Sequence, residues 1–347
     1  MEKSQSEKLG VVLFGCGGIG RHHFRLLRGS SDLELLALVD PASAPMEGVR
    51  VFPNADEFLQ AVAEGVLKLP DVAIVATPIH THFGLAKKLL EQSVHVLVEK
   101  PLAPTTAECE ELKMISQAKG KVLFVGHSER YNPAFASFLE VFRTGITGQL
   151  YRLESNRSGP YPQRVGDAGA TIDLAVHDLE CLSHILDNQA PQWVFARTEQ
   201  RIHPSQEDGL NAMIGYNMDV LVQLTVNWLS PRKTRHLNVY GYKGMLQCDF
   251  DRQTVTFFEN LYQRSKPDEY GFGGIEVGPE QHFLVDKWEP LAREHETFFS
   301  HVRGKKVAQG ELALQSACLA VEIAGALLQS SKENRQLTWK PQGIPNG

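Results

Sequence analysis

The sequence predicts two domains: an α/β domain with a Rossmann-type, doubly wound parallel sheet, then an α+β domain with a large, mostly antiparallel open sheet. Three observations lead to this prediction. Near-continuous apolar runs alternate with amphipathic stretches early in the chain, and segments of alternating polarity follow later. The length of 347 residues suffices for two cores. We place the boundary after Gly126, which gives domains 1–126 and 127–347, with a last helix that can pack back on the first domain.

Five buried parallel strands are predicted in the first domain, because runs that are apolar on both faces are typical of a sheet covered on both sides. These runs are residues 9–15, 33–40, 71–77, 94–100 and 121–127. The helical patterns between them are residues 19–28, 55–64, 81–92 and 105–118. Repeated strand–helix–strand units imply right-handed crossovers and therefore a doubly wound sheet.

A glycine-rich turn follows the first strand, and its residues satisfy the pattern G-x-G-x-x-G. The first glycine permits a tight turn, the second lets the backbone approach a pyrophosphate, and the third permits close helix packing. The phosphates would then lie against the amides of a helix N-terminus. The turn therefore predicts dinucleotide binding by Gly15, Gly17, Gly18, Ile19 and Gly20.

Asp40 ends the second strand, 20 residues after Gly20. A carboxylate at this place can accept hydrogen bonds from the ribose hydroxyls and repels a ribose phosphate, which favours NAD over NADP. Arg50 could instead pair with such a phosphate, so NADP stays an alternative. Asp40 could also serve only as a cap of the turn before Pro41.

Polar residues follow the third and fourth strands, at the sheet edge where ligands of open parallel sheets bind. We predict that the cofactor-binding residues at these two strand ends are Thr77, Pro78, His80, His82, Glu99 and Lys100. Lys100 is also a candidate proton carrier, since a partly buried ammonium can titrate near neutral pH. The alternative is that Lys100 only pairs with Glu99 or with a phosphate.

The second domain is predicted to be a sheet with one face on helices and the other exposed or used for subunit contact. Residues 133–143 carry Phe135, Phe138, Leu139 and Phe142 at helical spacing and are expected to form core. The alternating segments are residues 149–155, 193–202, 210–216, 219–228, 235–242 and 253–259. Short hairpin-like connections between them indicate mostly antiparallel pairing.

A helix over residues 171–187 carries a narrow polar stripe on an otherwise apolar surface. The stripe consists of Asp173, His177, Glu180 and His184 and is expected to line a cavity, whereas Asp178 is expected at a surface or interface. Asp173 and His177 are four residues apart and could act on one substrate hydroxyl.

Three simpler interpretations of this helix stay open: a helix-dipole partner, a satisfied core histidine, or a metal site. We assign no metal, because no second matching ligand set occurs. The histidine pairs His22/His23 and His80/His82 fit ordinary loop or helix surfaces as well as metal ligation.

Composition and charge exclude several classes of partner. Lysine and arginine total 35 against 41 acidic residues, so the formal net charge is −6, and no nucleic-acid partner is expected. The polar N-terminus and the lack of about 18 consecutive apolar residues predict no secretory signal and no membrane partner. Five scattered cysteines without a C-x-x-C pair favour a reducing cytoplasm and argue against a cysteine-based zinc module.

With these residues in view, the chain resembles the glucose-fructose oxidoreductase/inositol dehydrogenase/MocA (Gfo/Idh/MocA) family over nearly its full length. The specific parts are Glu99-Lys100-Pro101 and the helix with Asp173 and His177. The resemblance implies NAD(P) in the first domain and a sugar or polyol over the sheet of the second. It also implies Lys100 and His177 as the acid/base pair and Asp173 as the residue that orients the hydroxyl. A homodimer or homotetramer through the second sheet is expected.

Residues 126–133, 156–160, 164–167 and 227–231 are similar to those of dehydrogenases that oxidise the 3-hydroxyl of UDP-N-acetylglucosamine or its uronic acid. This narrower resemblance implies substrate contacts beyond Asp173 and His177, namely Arg130, Tyr131, Asn132, Arg157 and Arg164. The arginines could complement a diphosphate or could be ordinary surface residues. Ala170 departs from the pattern, because relatives often carry a Gly-Gly pair there.

The expected function is therefore that of an NAD-dependent sugar dehydrogenase. A free-sugar or inositol dehydrogenase of the same family is one alternative. A dinucleotide-sensing binding protein without turnover is another, although a sensor needs no proton carrier.

Overall fold

Six parallel strands form one sheet in the N-terminal part of the computed structural model, which describes residues 8–44, 48–162, 168–261, 276–305 and 310–339. The strands are β1 (Leu9–Phe14), β2 (Leu33–Val39), β3 (Arg50–Phe52), β4 (Val72–Val75), β5 (His95–Glu99) and β6 (Leu123–Gly126). They lie in the order β3-β2-β1-β4-β5-β6, and every neighbouring pair is parallel. The order reverses between β1 and β4, so the doubly wound sheet is confirmed.

Four helices connect these strands and agree with the predicted ranges to within two residues. They are α1 (Gly18–Gly29), α2 (Ala55–Ala63), α3 (Ile79–Glu91) and α4 (Thr106–Lys119). Strand β3 is not predicted from the sequence, because a three-residue strand gives no measurable periodicity. The central strands are apolar on both faces, and all four residues of β4 are buried.

Local sequence explains where the helices begin. Asn54 caps α2 by accepting a hydrogen bond from the backbone N–H of Glu57, and Thr105 with Glu108 forms a capping box on α4. Helix α1 differs, because its N-cap residue is Gly17 and its first turn holds no acidic side chain. Its first amides therefore face no capping side chain and can serve an anionic ligand.

The second sheet contains nine described strands and is antiparallel except where β10 runs parallel to β7. The strands are β7 (Leu150–Ser158), β8 (Trp193–Glu199), β9 (Gly209–Gly215), β10 (Leu221–Asn227), β11 (Thr234–Gly241), β12 (Gly244–Asp249), β13 (Thr254–Leu261), β14 (Glu276–Phe283) and β15 (Leu337–Thr338). Their order is β14-β13-β12-β11-β7-β10-β9-β8-β15. The predicted, mostly antiparallel sheet is thus confirmed.

Three of these strands are missing from the sequence prediction. Strand β12 begins with a glycine, β15 has two residues, and β14 contains Gly278 and Pro279, which argue against a strand. Proline lacks an N–H group but is tolerated in β14, because this strand lies at the sheet edge.

The remaining helices are α5 (Pro133–Arg143), α6 (Val176–Ile185), α7 (Pro290–Val302) and α8 (Gly310–Glu333). Helix α5 has the predicted bounds, and its Phe135, Phe138 and Leu139 are buried. The predicted helix over residues 171–187 instead begins with a π-helical turn, Thr171–Ala175, before α6. Positions across the π turn therefore do not follow the 100° spacing used to place its side chains.

Helix α8 is long and apolar enough to meet the length and composition of a membrane span, over Ala313–Glu333. However, 56% of its apolar window is buried inside the protein. Ala317, Ile323 and Leu327 are completely inaccessible. This burial is typical of a core helix.

The described residues divide into two compact units. One comprises those within Met1–Ser128 and Leu291–Val321, and the other those within Glu129–Pro290 and Glu322–Gly347.

Candidate functional site

The glycine turn after β1 has the geometry that its sequence predicts. Gly15 has a φ of +88°, and a Cβ atom on it would collide with the carbonyl oxygen of Ala76. A Cβ atom on Gly20 would collide with the carbonyl oxygen of Gly15. A Cβ atom on Gly17 or Gly18 would instead meet nothing within 4 Å. The turn thus leaves open space directly in front of the α1 amides, as a dinucleotide phosphate requires.

Asp40 connects this turn with the end of β2. Its Oδ2 atom accepts a hydrogen bond from the backbone N–H of Cys16 at 2.6 Å, and its Oδ1 atom accepts one from Ala42 at 2.8 Å. The carboxylate therefore both caps the turn after β2 and holds the glycine turn. Arg50 donates to the carbonyl oxygen of Val66 at 2.7 Å.

The loop after β4 is held by side-chain hydrogen bonds. The hydroxyl oxygens of Thr77 and Thr81 lie 2.6 Å apart. His82 is 1% exposed, and its Nδ1 and Nε2 atoms lie 2.8 Å and 2.9 Å from the carbonyl oxygens of Pro101 and Thr77. Both ring nitrogens of His82 thus face backbone carbonyls, and its cofactor contact stays a prediction. Pro78 and His80 are exposed, and their cofactor contacts stay predictions.

Glu99 ends β5 and points into a buried pair of histidines. Its Oε1 atom lies 2.8 Å from Nε2 of His23, and Nδ1 of His23 lies 2.7 Å from Nε2 of His295 on α7. The two imidazole rings are stacked, with centroids 5.0 Å apart. The other carboxylate oxygen of Glu99 accepts a hydrogen bond from the backbone N–H of Lys100 at 3.3 Å. Glu99 thus lies directly beside the half-buried Lys100.

Asp173 lies in the π turn and His177 in the first turn of α6, and both are half-buried. The start of this segment is held by Glu207, whose Oε1 atom accepts a hydrogen bond from the backbone N–H of Thr171 at 3.0 Å. A carboxylate at this end also complements the helix dipole. A Cβ atom on Gly169 would collide with the Glu207 carboxylate in its present position, so a larger residue there would displace this carboxylate.

Asp178 is 4% exposed, so its predicted place at a surface or interface is wrong. Its two oxygens accept hydrogen bonds from Ser155 at 2.7 Å and from Nε of Arg157 at 2.6 Å, both on β7. Arg157 also donates to Glu129 at 2.9 Å, and Arg235 lies 3.3 Å from the same carboxylate oxygen. The charge on α6 therefore anchors the helix to the sheet.

Glu180 is completely buried and forms an ion pair with Arg130. The prediction that Glu180 shares an open polar stripe with Asp173 and His177 is therefore wrong. His184 is half-buried beside Arg143, and burial together with the charges of Arg130 and Arg143 lowers its pKa to about 4. The four polar residues of the helix thus lie in different environments. The π turn shifts Asp173 relative to the other three, whereas Glu180 and His184 differ through their partners Arg130 and Arg143.

The arginines predicted to contact a diphosphate are not surface residues, since Arg130 and Arg157 are 5% and 3% exposed. Both guanidinium groups are paired with internal carboxylates. Asn132 caps α5 by accepting a hydrogen bond from Ala134 at 3.0 Å, and the carbonyl oxygen of Tyr131 accepts one from Trp288 at 2.8 Å. These bonds give the Ser128–Asn132 segment a structural role. Arg164 lies outside the described residues.

Sequence reasoning missed His23 as a buried residue, although a signal was present. Gly20, His23 and Leu27 share the buried face of α1 at spacings of three and four residues. His295 shares the buried face of α7 with Leu291 and Phe298 in the same way. The exposed His22 follows the expected surface pattern. Within the described ranges, no group of three or more His, Cys, Asp or Glu side chains is placed to hold a metal ion.

Comparisons with known proteins agree with this architecture. The oxidoreductase family with an NAD-binding Rossmann fold, GFO_IDH_MocA, matches residues 9–127, and the GFO/IDH/MocA C-terminal domain matches residues 135–247. The UDP-N-acetylglucosamine 3-dehydrogenase of Acidithiobacillus ferrooxidans is 26% identical over 85% of this chain and 88% of its own length. The inositol 2-dehydrogenase of Rhizobium meliloti is 24% identical over 94% of this chain and 98% of its own.

A solved structure of the WlbA dehydrogenase from Chromobacterium violaceum, in complex with NADH and UDP-GlcNAcA, has a similar fold. Its TM-score is 0.78 with 20% identity, and the match covers 97% of this chain and 98% of the other.

Proposed function

Because the chain belongs to the GFO/IDH/MocA oxidoreductase family, we propose that it uses NAD to oxidise a secondary hydroxyl of a sugar. The preferred substrate is the 3-hydroxyl of a UDP-N-acetylhexosamine or of its uronic acid. The position of Lys100 is the main support for this type of reaction. Lys100 directly follows β5, on the same carboxyl edge of the sheet as the glycine turn after β1. A cation at this edge can lie close to the reacting end of a bound dinucleotide.

The residues around the glycine turn fit NAD. The open space before Gly17 and Gly18 and the uncapped amides of α1 suit a pyrophosphate. The Asp40 carboxylate suits ribose hydroxyls and repels a 2′-phosphate, so NAD is preferred to NADP. When bound, NAD supplies the acceptor for the hydride.

Lys100 and His177 are proposed to act on one substrate hydroxyl. One of them removes the hydroxyl proton, and the positive charge of Lys100 stabilises the developing alkoxide. Asp173 accepts a hydrogen bond from the substrate and orients it. The anchoring of α6 by Asp178 and Glu180 supports this proposal, because a helix fixed by buried ion pairs holds His177 in a defined position.

The choice of a nucleotide sugar is supported by two similar proteins, one named for UDP-N-acetylglucosamine and one solved with UDP-GlcNAcA. Arg130 and Arg157 are already neutralised by internal carboxylates. We therefore propose that other groups bind the diphosphate, with Arg164 as the remaining candidate among the three arginines.

A second candidate function is oxidation of a free polyol. It is favoured by the inositol 2-dehydrogenase, which matches this chain over almost the full length of both proteins. The two candidates differ in whether the substrate carries a diphosphate.

A screen at 340 nm tests both candidates. The purified chain would be mixed with NAD or NADP and with UDP-N-acetylglucosamine, its uronic acid, free hexoses or myo-inositol. NADH formation with a UDP-sugar supports the proposal, and formation with inositol alone supports the second candidate. Tight NAD binding without reduction by any of these compounds would instead favour a dinucleotide sensor.

We also propose that the chain forms a homodimer or homotetramer through the exposed face of the second sheet. This face contains a surface pocket of about 570 Å³. Its lining includes Asn156, Asn211, Met213, Gln223 and His236. Light scattering of the purified chain measures its mass directly, and a monomer would refute the proposal. A reducing cytoplasm is the proposed location.

A further inference from the structure

Three buried titratable side chains in the first unit form a hydrogen-bonded row that the proposed chemistry leaves unused. The row runs from His295 on α7 through His23 on α1 to Glu99 at the end of β5. The two hydrogen-bonded contacts measure 2.7 Å and 2.8 Å. His23, in the middle, is completely inaccessible to solvent. Buried titratable groups at this density are costly and occur preferentially at functional sites.

The inner end of the row lies beside Lys100. Oε2 of Glu99 is 3.3 Å from the backbone nitrogen of Lys100, while Oε1 faces His23. Gly126 on the neighbouring strand β6 leaves room for this carboxylate, because a Cβ atom there would lie 3.0 Å from the carboxyl carbon. Glu99 is therefore a buried carboxylate that adjoins Lys100 in the chain and faces His23 with its other oxygen.

The outer end of the row lies at a surface cavity of about 300 Å³ between α1 and α7. His295 lines this cavity, together with Leu26, Ser30, Asp32, Glu296 and Arg303. The volume is sufficient for several water molecules or for one free imidazole. The row thus connects the Lys100 side of the sheet edge with a site that water can enter.

The rings have the chemistry that proton transfer needs. A neutral imidazole has one N–H donor and one bare acceptor nitrogen, so it can accept a proton on one side and release another on the opposite side. Burial, together with the nearby His23 and Arg25, lowers the pKa of His295 to about 3. His295 is therefore neutral at physiological pH and can act as acceptor or donor without becoming charged.

We propose that His295, His23 and Glu99 form a proton conduit between the Lys100 region and the surface cavity. This inference rests on the proposed function, because oxidation of an alcohol by NAD releases one proton for each hydride transferred. The proton passes from the acid/base pair to the Glu99 carboxylate. Glu99 then gives its proton to Nε2 of His23, Nδ1 of His23 gives its proton to Nε2 of His295, and Nδ1 of His295 gives its proton to water. Each ring gains one proton on Nε2 and loses one from Nδ1, so it ends as the other neutral tautomer. Each ring must then rotate to turn its N–H group back towards the next acceptor before a second proton can pass.

Replacement of the outer histidine tests the conduit. In His295→Ala, we expect kcat to fall at least about tenfold, since the proton loses its path to the cavity. Added imidazole can enter the enlarged cavity and should restore most of the lost kcat. The matched control is His301→Ala on the same helix, outside the row, which should keep the wild-type kcat with or without imidazole.

Two outcomes would overturn the conduit. One is a His295→Ala chain that turns over at the wild-type rate. The other is a loss of kcat that imidazole does not restore although the melting temperature is unchanged, because a purely positional role would give that result.

A second measurement needs no turnover. Nitrogen-15 NMR of the full chain, with His23→Gln and His295→Gln used to assign the signals, reports which ring nitrogens carry protons. The conduit requires one protonated and one bare nitrogen in each ring. A His23 ring with both nitrogens protonated, forming a fixed ion pair with Glu99, would refute it. If none of the tested sugars or polyols supports NAD reduction by the wild-type chain, the proposed function is wrong. The NMR measurement tests the protonation of the two rings whether or not the chain turns over.

Discussion

The carboxylate of Asp40 accepts a hydrogen bond from the backbone N–H of Cys16, with 2.6 Å between Oδ2 and the nitrogen. The Asp40 side chain therefore caps the turn after β2 and also holds the glycine turn after β1. Loss of the Asp40 side chain would therefore change both the shape of the glycine turn and the charge beside it.

Two substitutions separate these effects. Asp40→Asn keeps an oxygen that can accept from Cys16 but removes the charge, whereas Asp40→Ala removes both. We expect Asp40→Asn to reduce the preference for NAD over NADP. Asp40→Ala should weaken NAD binding roughly tenfold or more, because hydrogen bonds to charged groups contribute about 1.5–3 kcal/mol. Titration of both variants with each dinucleotide measures this, and unchanged affinities would show that Asp40 does not contact the cofactor.

The glycines of the turn should respond differently to the same small change. Gly15→Ala is expected to destabilise the fold by about 1–3 kcal/mol, because its φ is +88° and the new Cβ atom would meet the Ala76 carbonyl. Gly17→Ala should melt at nearly the wild-type temperature but lose NAD affinity, since its Cβ atom would enter only the open space in front of α1. Equal melting temperatures for the two variants would contradict the assignment.

Much of the first unit could be predicted from sequence, because its elements are specified locally. The helix boundaries follow from caps such as Asn54 and Thr105, and the strands from continuous apolar runs. Gly15 and Gly20 each have a steric reason to be glycine, because a Cβ atom on either would collide with a backbone carbonyl. Strand β3 carries too few residues for such a local signal.

The environment of α6 could not be predicted in this way, because it depends on partners far away in sequence. The burial of Asp178 is balanced by Arg157, 21 residues earlier, which supplies its counter-charge, and by the hydroxyl of Ser155. Glu180 likewise depends on Arg130, 50 residues away. The π turn before α6 also changes the angular positions that a regular helix would give. Periodicity alone describes neither effect.

The ion pairs of Glu129 should make the second unit sensitive to acid. Burial raises the pKa of Glu129, but the charges of Arg157 and Arg235 and the attached hydrogen bonds outweigh it, so the net pKa is lowered. A lowered folded-state pKa gives stability that is present above the unfolded value of about 4.3 and is lost as the pH falls through the folded value. The wild-type chain should therefore lose stability in this range.

Glu129→Gln removes this contribution. We expect the variant to be about 3–5 kcal/mol less stable at pH 7, because Arg157 loses one buried partner, and to depend less on pH below 5. Glu110→Gln is a matched control in an exposed pair with Lys113, for which the expected change is below about 1 kcal/mol. Urea unfolding at several pH values measures both. Equal losses of unfolding free energy in the two variants would mean that the buried ion pairs of Glu129 add no more stability than an exposed pair.

Lys100 and His177 are proposed to act on the same sugar hydroxyl. Lys100→Ala should lower kcat by about 100-fold or more, the usual scale for loss of an acid/base group, while NAD binding is nearly unchanged. His177→Ala should have a comparable effect.

A double-mutant cycle on kcat shows whether the two side chains act together. If the two side chains act as one unit, the double variant should lose about as much activity as the more damaging single variant. If the losses of the two single variants multiply in the double variant, Lys100 and His177 act independently and the proposal is wrong.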